Sequence, residues 1–225
     1  MNLKAFEESS KAWVNRLRGS AEGLKWNRKE LPVLLQVIQM TRQRRVVVQA
    51  GGNLGVFPKY MSGFFETVYT FEPEPELFEI MAQNAPERNI IKFQAALGCE
   101  RQLVHMSRVR RQQDGGNSHE GITHVSGAGK IPTLQIDDLG LPICDLVYLD
   151  IEGYEFYALK GAVKTVERCQ PLIAVEVNKS LKQMGGITRE DIHAWFRIHE
   201  YDFLQKIRSD EIFTPRSWGS VQERD

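Results

Sequence analysis

The stretch VVVQAGGNLG, residues 46–55, decides the fold, because a short run of β-branched residues leads directly into a glycine-rich turn. A continuous apolar run of this kind is typical of a strand buried on both faces of a parallel sheet. Gly51 and Gly52 allow the backbone to approach a ligand closely, and Gly55 allows the next helix to pack tightly on the sheet. The helix start is expected to offer unpaired backbone N–H groups to a carboxylate or phosphate. Asn53 is placed to cap this helix or to bond the ligand.

Strands and helices alternate along the rest of the chain. The predicted strands after RVVVQA are TVYTFEP, NIIKFQAAL, DLVYLDI and PLIAVEV, and the predicted helices between them are residues 53–65, PELFEIMAQNA, YEFYALKGAVKTVER and TREDIHAWFRIHE. This order predicts an α/β fold with a doubly wound, mostly parallel sheet. YDFLQKI and DEIFTPR flank Arg208-Ser209 and predict a C-terminal hairpin that adds an antiparallel strand near one edge.

The chain divides into an extension and a main domain. Residues 1–43 are predicted to be a helical extension, and residues 44–225 to be the main domain. Within the extension LPVLLQVIQM, residues 31–40, has apolar residues all round; it is expected to pack on the main domain, and its apolar face is also a candidate surface for a homodimer. Residues 107–130 are glycine-rich and nearly free of apolar side chains, which predicts an insertion that is either a lid loop or disordered.

Composition limits the class of protein. A chain of 225 residues fits one α/β domain, and 29 basic residues balance 29 acidic ones, which argues against a general nucleic-acid binder but leaves a local basic patch open. Three cysteines in no metal-ligand spacing predict free thiols in a reducing cytoplasm. Neither a signal-peptide core nor a membrane-spanning run is apparent, so a soluble, cytoplasmic protein without a membrane partner is expected.

An acid follows the glycine turn at the sequence distance that is typical of nucleotide-binding folds. Glu72 ends the second predicted strand, 21 residues after Gly51, and about 20 residues separate the turn from the ribose-binding acid in dinucleotide folds. A nicotinamide or flavin dinucleotide and S-adenosylmethionine both fit such a site. The short G-G-N-L-G spacing, the little room for a second domain and the terminal hairpin favour S-adenosylmethionine. The alternative for Glu72 is a solvated acid that offsets the dipole of the next helix.

Five blocks of sequence together resemble one enzyme family. Over about residues 45–215 they resemble the FkbM family of S-adenosylmethionine-dependent methyltransferases. The blocks are, in chain order, VVVQAGGNLGVF, VYTFEPEPELFEIMAQN, FQAALG, IPTLQIDDL and LVYLDIEGYEFYALKGA. The most specific part is the run Asp-x-Glu-Gly-x-Glu that leads to Leu-Lys-Gly-Ala. The resemblance implies the Rossmann-like class I methyltransferase fold, S-adenosylmethionine as cofactor, and O-methylation of hydroxyls on sugars or polyketides.

The resemblance also implies roles for single residues. It implies that the cofactor's methionine moiety is held by Gly51, Asn53 and Gly55, its ribose by Glu72, and its adenine by Gln94 and Ala95. Asp150 would face the methyl group and the substrate, and Asp137 matches a family position without an assigned role.

The sequence departs from the family pattern at Gln49, where the family usually has Asp. Its amide carbonyl is still expected to bond the cofactor's amino group, with weaker binding because the charge attraction to an ammonium is lost. The departure motivates a second hypothesis, a non-catalytic member that binds the cofactor or its product. A third hypothesis is a dinucleotide-dependent oxidoreductase.

Methyl transfer to a hydroxyl requires an acceptor in line with the sulfonium and a route for the proton. Asp150 and Glu152 are the best-placed carboxylates, and His119 in NSHEG is a candidate base. The alternative is that both acids cap and compensate a helix N-terminus and that His119 is a solvated loop residue.

Two further ligands are considered. Mg²⁺ could be held by Asp150 together with Glu176 and Asn178, which end the next strand in VEVN, and the ion would acidify a bound hydroxyl. The alternative is that Glu176 only pairs with a nearby base. A phosphorylated or nucleic-acid acceptor could be held by three arginines of the insertion, which otherwise lie on a solvated loop: Arg108, Arg110 and Arg111. A small hydroxyl acceptor remains the leading prediction, and RNA methylation is the alternative.

Overall fold

The computed structural model describes residues 13–14, 16–109, 122–178 and 186–219 of the chain. The strands are β1 (Val46–Ala50), β2 (Thr67–Phe71), β3 (Ile90–Phe93), β4 (Ala96–Leu97), β5 (Leu103–Val109), β6 (Ile122–Leu134), β7 (Leu146–Leu149), β8 (Leu172–Glu176), β9 (Tyr201–Ile207) and β10 (Asp210–Pro215). The helices are α1 (Ala21–Met40), α2 (Val56–Ser62), α3 (Pro75–Asn84), α4 (Glu155–Lys160), α5 (Val163–Cys169) and α6 (Arg189–Ile198), with 3₁₀ turns at Ile136–Leu139 and Arg216–Trp218.

The main sheet has the order β3-β2-β1-β7-β8-β10-β9. Neighbouring strands from β3 to β8 run parallel, whereas β10 pairs antiparallel with β8 and with β9. The predicted α/β fold with a C-terminal antiparallel hairpin is therefore confirmed. The chain leaves β1 toward β2 on one side and later returns to place β7 on the other side, so the strand order reverses at β1. Ligands of open parallel sheets bind outside the carboxyl ends of the strands at such a switch point.

The core lies on both faces of the sheet, which explains the continuous apolar strands. Along β1, Val48 and Ala50 belong to one buried cluster and Val47 to the other. Helix α1 covers the second cluster with a set of buried apolar side chains: Leu31, Leu34, Val37 and Ile38. This confirms that residues 31–40 pack on the main domain. These side chains are covered within one chain, and the homodimer stays a prediction.

Local signals set most helix ends. Pro58 lies in the first turn of α2 and Pro75 is the first residue of α3, where a missing N–H costs no helical hydrogen bond. Thr188 caps α6 in a capping box with Asp191, as the spacing predicts.

The long helix predicted over YEFYALKGAVKTVER is instead two short helices, α4 and α5. The break falls at Gly161, where an added Cβ would overlap the carbonyl oxygen of Gly98. The Asp137 carboxylate then accepts the backbone N–H groups of Lys164 and Thr165 at 3.0 and 2.8 Å, which caps α5. Asp137, which had no role from the resemblance, is therefore a helix-capping residue.

The segment expected to be an insertion or lid loop is a β-ribbon in its described parts. Strands β5 and β6 pair antiparallel from Leu103↔Pro132 to Val109↔Ile122, with irregular register at Val104. The loop expectation for residues 107–109 and 122–130 is corrected, because cross-strand backbone hydrogen bonds replace an apolar core as the source of order. Gly129 lies against the backbone of Val104 at the irregularity, so part of the glycine content marks a bulge.

Within the described ranges no helix combines the length and the apolar character that crossing a membrane requires.

Candidate active site

The glycine turn lies at the carboxyl ends of β1 and β7. Gly51 has φ +85°, and a Cβ there would overlap the carbonyl oxygen of Asp150, so the two strand ends meet at a distance that only glycine allows. Gly55, with φ +81°, precedes α2, and a Cβ atom added to it would lie 3.0 Å from the carbonyl oxygen of Met81. The turn therefore brings the backbone of Asp150 next to Gly51.

The backbone N–H groups of the turn are more engaged than expected. Gly51 and Gly52 both donate to the carbonyl oxygen of Phe71, at 3.1 and 2.9 Å, and Gly55 donates to Gly52 at 2.8 Å. The expectation of unpaired N–H groups is corrected for these three residues. Their hydrogen bonds fix the shape of the turn.

Glu72 and Asn53 are directly bonded. The Asn53 N–H donates to Glu72 Oε2 at 2.7 Å, and the Glu74 N–H donates to Glu72 Oε1 at 3.0 Å. Asn53 has φ 44°, a left-handed conformation that asparagine tolerates better than most residues. Glu72 is only 5% exposed, so it is not the solvated helix-start acid of the alternative interpretation. The acid and the glycine turn form one structural unit.

Gln49 faces the protein interior. Its side chain is fully buried; Nε2 donates to the carbonyl oxygens of Ala50 and Gly51 at 3.0 and 2.9 Å, and Oε1 accepts the hydroxyl of Thr70 at 2.6 Å. In this structure its polar atoms bind the protein itself, and the contact of this amide with a ligand stays a prediction. An Asp at this position could not donate to the two carbonyl groups, which gives a physical reason for the amide.

Gln94 and Ala95 lie between β3 and β4, at the carboxyl end of β3. Gln94 is exposed, whereas Ala95 is 2% exposed and packs in the core. Their position at the same edge of the sheet as Glu72 agrees with the predicted order of the site along the strands.

Asp150 carries a carboxyl group with a raised pKa at this edge. It follows β7 directly, and burial raises its pKa well above the usual value, with further increases from the negative charges of Glu176 and Glu152. Glu152 has a left-handed backbone with φ 55°. A carboxyl group with a raised pKa at the switch point of the sheet is a candidate functional group.

The proposed magnesium ligands are arranged differently from the expectation. Asn178 donates its Nδ2 to Glu176 Oε2 at 2.6 Å, so its amide nitrogen bonds the carboxylate. In the part of the chain that the structure describes, no group of three or more His, Cys, Asp and Glu residues has an arrangement for a metal ion.

A further acid joins this edge from the terminal hairpin. Asp210 pairs in register with Glu176, and its Oδ2 accepts the hydroxyl of Tyr148 at 2.7 Å. Burial raises the pKa of Asp210 to about 6, the bond from Tyr148 lowers it in part, and the charge of Glu176 raises it. Sequence analysis missed Asp210 and Tyr148 because their meeting depends on the hairpin register.

Some predicted residues cannot be placed. His119, Arg110 and Arg111 lie outside the described residues, and Arg108 is placed only by its backbone in β5. The site therefore rests on Gly51, Asn53, Glu72 and Asp150.

The strand order, with its antiparallel end, is that of the class I methyltransferases. A family model described as the Methyltransferase FkbM domain matches residues 50–204. This match spans more than half of the chain, so the chain belongs to the FkbM methyltransferase family. Membership implies S-adenosylmethionine-dependent methylation. No curated protein matches the chain.

Two solved structures with TM-scores of 0.52 and 0.50 support the fold. A candidate RNA methyltransferase from Pyrococcus horikoshii superposes with a TM-score of 0.52 at 9% identity, over 93% of this chain and 96% of that one. Precorrin 8W decarboxylase from Methanobacterium thermoautotrophicum gives 0.50 at 13% identity, over 89% and 94%. Methyltransferase FkbM from Methylobacillus flagellatus gives 0.47 at 16% identity, and the match covers 92% of this chain but 57% of that protein's length.

Proposed function

We propose that this protein transfers a methyl group from S-adenosylmethionine to a hydroxyl of a sugar or another small acceptor, with Asp150 as the general base. The observation that carries the proposal is the juxtaposition of Asp150 with Gly51. The carbonyl of one residue packs against the backbone of the other, so the acid lies beside the turn that would hold the methionine end of the cofactor.

The residues present fit this cofactor in chemical type. Glu72 supplies carboxylate oxygens at the end of β2, and such oxygens accept hydrogen bonds from a pair of ribose hydroxyls. Asn53 is exposed beside it, on a turn whose shape is fixed by backbone bonds. Gln94 is exposed at the end of the next strand along the edge. These positions would hold the methionine, ribose and adenine parts, respectively.

The bound cofactor supplies an electrophilic methyl group on a sulfonium. Asp150 then has two tasks: its carboxylate orients the acceptor hydroxyl and takes the hydroxyl proton as the new carbon–oxygen bond forms. The raised pKa makes its carboxylate a stronger base than an ordinary aspartate. It also means that the carboxylate must be formed before it can act, so the rate should increase as the pH rises through the pKa of Asp150.

The non-catalytic hypothesis loses its motivation. It rested on Gln49 as a weakened ligand contact, but the Gln49 amide bonds Ala50, Gly51 and Thr70 within the protein. Gln49 therefore gives no reason to expect a disabled site. The proposed acceptor is a small molecule, because balanced charge over the whole chain gives no general attraction for nucleic acid.

The proposal is tested by incubating the purified protein with methyl-labelled S-adenosylmethionine and two sets of acceptors, a panel of sugars and polyols and a structured RNA. We expect label in a small hydroxyl compound and none in RNA. Asp150→Asn should lower the rate by roughly 10²–10⁴-fold, the usual contribution of a general base, while S-adenosylhomocysteine still binds.

The matched control is Asp202→Asn, because the side chain of Asp202 is 60% exposed and pairs with Arg216 at the surface. Its rate should equal that of the unmodified protein. Label in RNA alone would reject the small acceptor, and unchanged turnover in Asp150→Asn would reject the general base. Binding without any product would favour the non-catalytic hypothesis.

A further inference from the structure

The turn that follows Asp150 has an unusual backbone. We use the name catalytic turn for residues 150–154. Within it Glu152 has φ 55° and Gly153 has φ 101°, two left-handed residues in succession. A left-handed conformation costs a residue with a side chain about 1–2 kcal/mol, and it persists only where the surroundings hold it. Specific contacts must therefore fix the backbone that carries Asp150 and Glu152.

Glu155 makes these contacts. Its Oε1 accepts the N–H of Ile151 at 2.8 Å and the N–H of Gly153 at 3.2 Å, on either side of Glu152. The side chain of Glu155 is fully buried. One oxygen atom thus bridges two backbone groups of the catalytic turn.

We propose that Glu155 is a positioning residue, whose Oε1 holds the catalytic turn in its left-handed conformation and so fixes Asp150 for methyl transfer. The inference rests on the proposed function for the role of Asp150, but the bridging itself is independent of it. The alternative is that Glu155 only stabilises α4, because it is the first residue of that helix and a negative charge there interacts favourably with the helix dipole. The carboxyl group interacts with the backbone N–H of Glu155 itself at the start of α4, but its bonds to Ile151 and Gly153 run back to the turn, which a helix-dipole role does not require.

The acceptor oxygen, not the charge, performs this role. Glu155 Oε2 is buried and has no hydrogen-bond partner. Burial raises the pKa of Glu155 to about 8, the bonds from Ile151 and Gly153 lower it in part, and the charge of Glu176 raises it. The carboxyl group is therefore largely protonated at pH 7, and it bridges the turn through a neutral carbonyl-type oxygen. A glutamine offers the same oxygen, whereas alanine and methionine offer none.

The experiment compares Glu155→Gln, Glu155→Ala and Glu155→Met, where methionine fills the volume without an acceptor. Amide hydrogen exchange by NMR reports the bridge without any substrate. We expect exchange at Ile151 and Gly153 to become about tenfold faster or more in Glu155→Ala and Glu155→Met, because each loses a protecting bond. In Glu155→Gln both amides should exchange within about threefold of the unmodified protein. Glu167→Ala, at an exposed acid of α5, is the control and should leave both amides unchanged.

Turnover then tests positioning. Glu155→Met should lower kcat by about tenfold or more while the Kd for S-adenosylhomocysteine stays within about threefold, and Glu155→Gln should restore kcat. Equal exchange in the Gln and Met variants would overturn the bridge. Faster exchange with unchanged kcat would overturn the positioning role. If the unmodified protein shows no turnover, the proposed function fails, and the exchange result still decides the bridge. If Glu155→Ala does not fold, Glu155→Met carries the same comparison.

Discussion

The carbonyl oxygen of Asp150 occupies the space that a side chain on Gly51 would need. This relationship joins the glycine turn of β1 to the carboxyl end of β7 and explains why the site cannot accept another residue there. Gly51 also has φ +85°, which is unfavourable for residues with a Cβ atom.

Gly51→Ala should therefore destabilise the protein more than the same substitution at a left-handed glycine that has open space around it. We expect a loss of about 3 kcal/mol in the free energy of unfolding, about 1 for the positive φ and the rest for displaced backbone, together with at least tenfold weaker S-adenosylhomocysteine binding. Urea unfolding and calorimetric titration measure the two effects. Gly140→Ala is the control, because Gly140 has φ +58° but open space around it. Equal losses in the two variants would contradict the overlap argument.

Gln49→Asp introduces the residue that the family usually has. We expect a loss of about 3 kcal/mol in unfolding free energy, because the donors to Ala50 and Gly51 disappear and a carboxylate is buried beside two carbonyl oxygens. The affinity for S-adenosylhomocysteine should not improve. Gln102→Asp, at an exposed position, should leave both quantities unchanged. Tighter ligand binding in Gln49→Asp would restore the view that this position contacts the cofactor.

The sequence predicted those parts of the site that depend on local order along the chain. The spacing of the glycine turn and Glu72 was sufficient because consecutive parallel strands β1 and β2 place their carboxyl ends side by side. The orientation of Gln49 could not be predicted. Both faces of β1 are buried, so the sequence has no polar–apolar alternation that would show which way this side chain points. Its amide direction depends on Thr70 in the neighbouring strand.

Contacts over long sequence distances were also missed. Asp210 reaches Tyr148 only because β10 inserts between β8 and β9, and nothing in the hairpin sequence sets that order. The break between α4 and α5 depends on Gly98, which lies in a distant loop. In each case the deciding partner is tertiary, so helical periodicity or strand propensity carries no signal for it.

Glu72→Gln should weaken cofactor binding. Glutamine would lose one of the two bonds to the ribose hydroxyls, and a hydrogen bond to a charged group contributes about 1.5–3 kcal/mol, so we expect roughly 10- to 100-fold lower affinity for S-adenosylhomocysteine by calorimetric titration. Glutamine keeps an acceptor for the Asn53 N–H and loses the one for the Glu74 N–H, so urea unfolding is measured beside the titration to report any loss of stability. Glu79→Gln, at an exposed acid of α3, is the control. Undiminished affinity in Glu72→Gln would show that the ribose binds elsewhere or not at all.

Asp137→Ala should separate structure from function. Its carboxylate caps α5 through Lys164 and Thr165, so we expect a loss of about 1–2 kcal/mol in unfolding free energy. The Kd for S-adenosylhomocysteine should stay within twofold, because the cap lies on α5 and not at the strand ends. Asp137→Asn, which keeps an acceptor oxygen, should recover much of the stability. A large loss of ligand affinity without loss of stability would contradict the capping role.

The free energy of unfolding should fall as the pH rises, because two buried acids lose their protons. The folded-state pKa of Glu155 is about 8 against an ordinary value of 4.5, and that of Asp210 is about 6 against 3.8. Between each pair of values the folded protein binds more protons than the unfolded chain, so the unfolding free energy falls with increasing pH, by at most about 1.4 kcal/mol per pH unit for each proton. Asp210 is half ionised near pH 6 and contributes little above about pH 7, so the further fall between pH 7 and 8 includes the contribution of Glu155. Urea unfolding at pH 5, 6, 7 and 8 should show this fall, and Glu155→Gln should reduce the slope between pH 6 and 8, whereas Glu79→Gln should not. Parallel curves for Glu155→Gln and the unmodified protein would mean that Glu155 is already ionised at pH 6, and the bridge to Ile151 and Gly153 would then be made by a carboxylate.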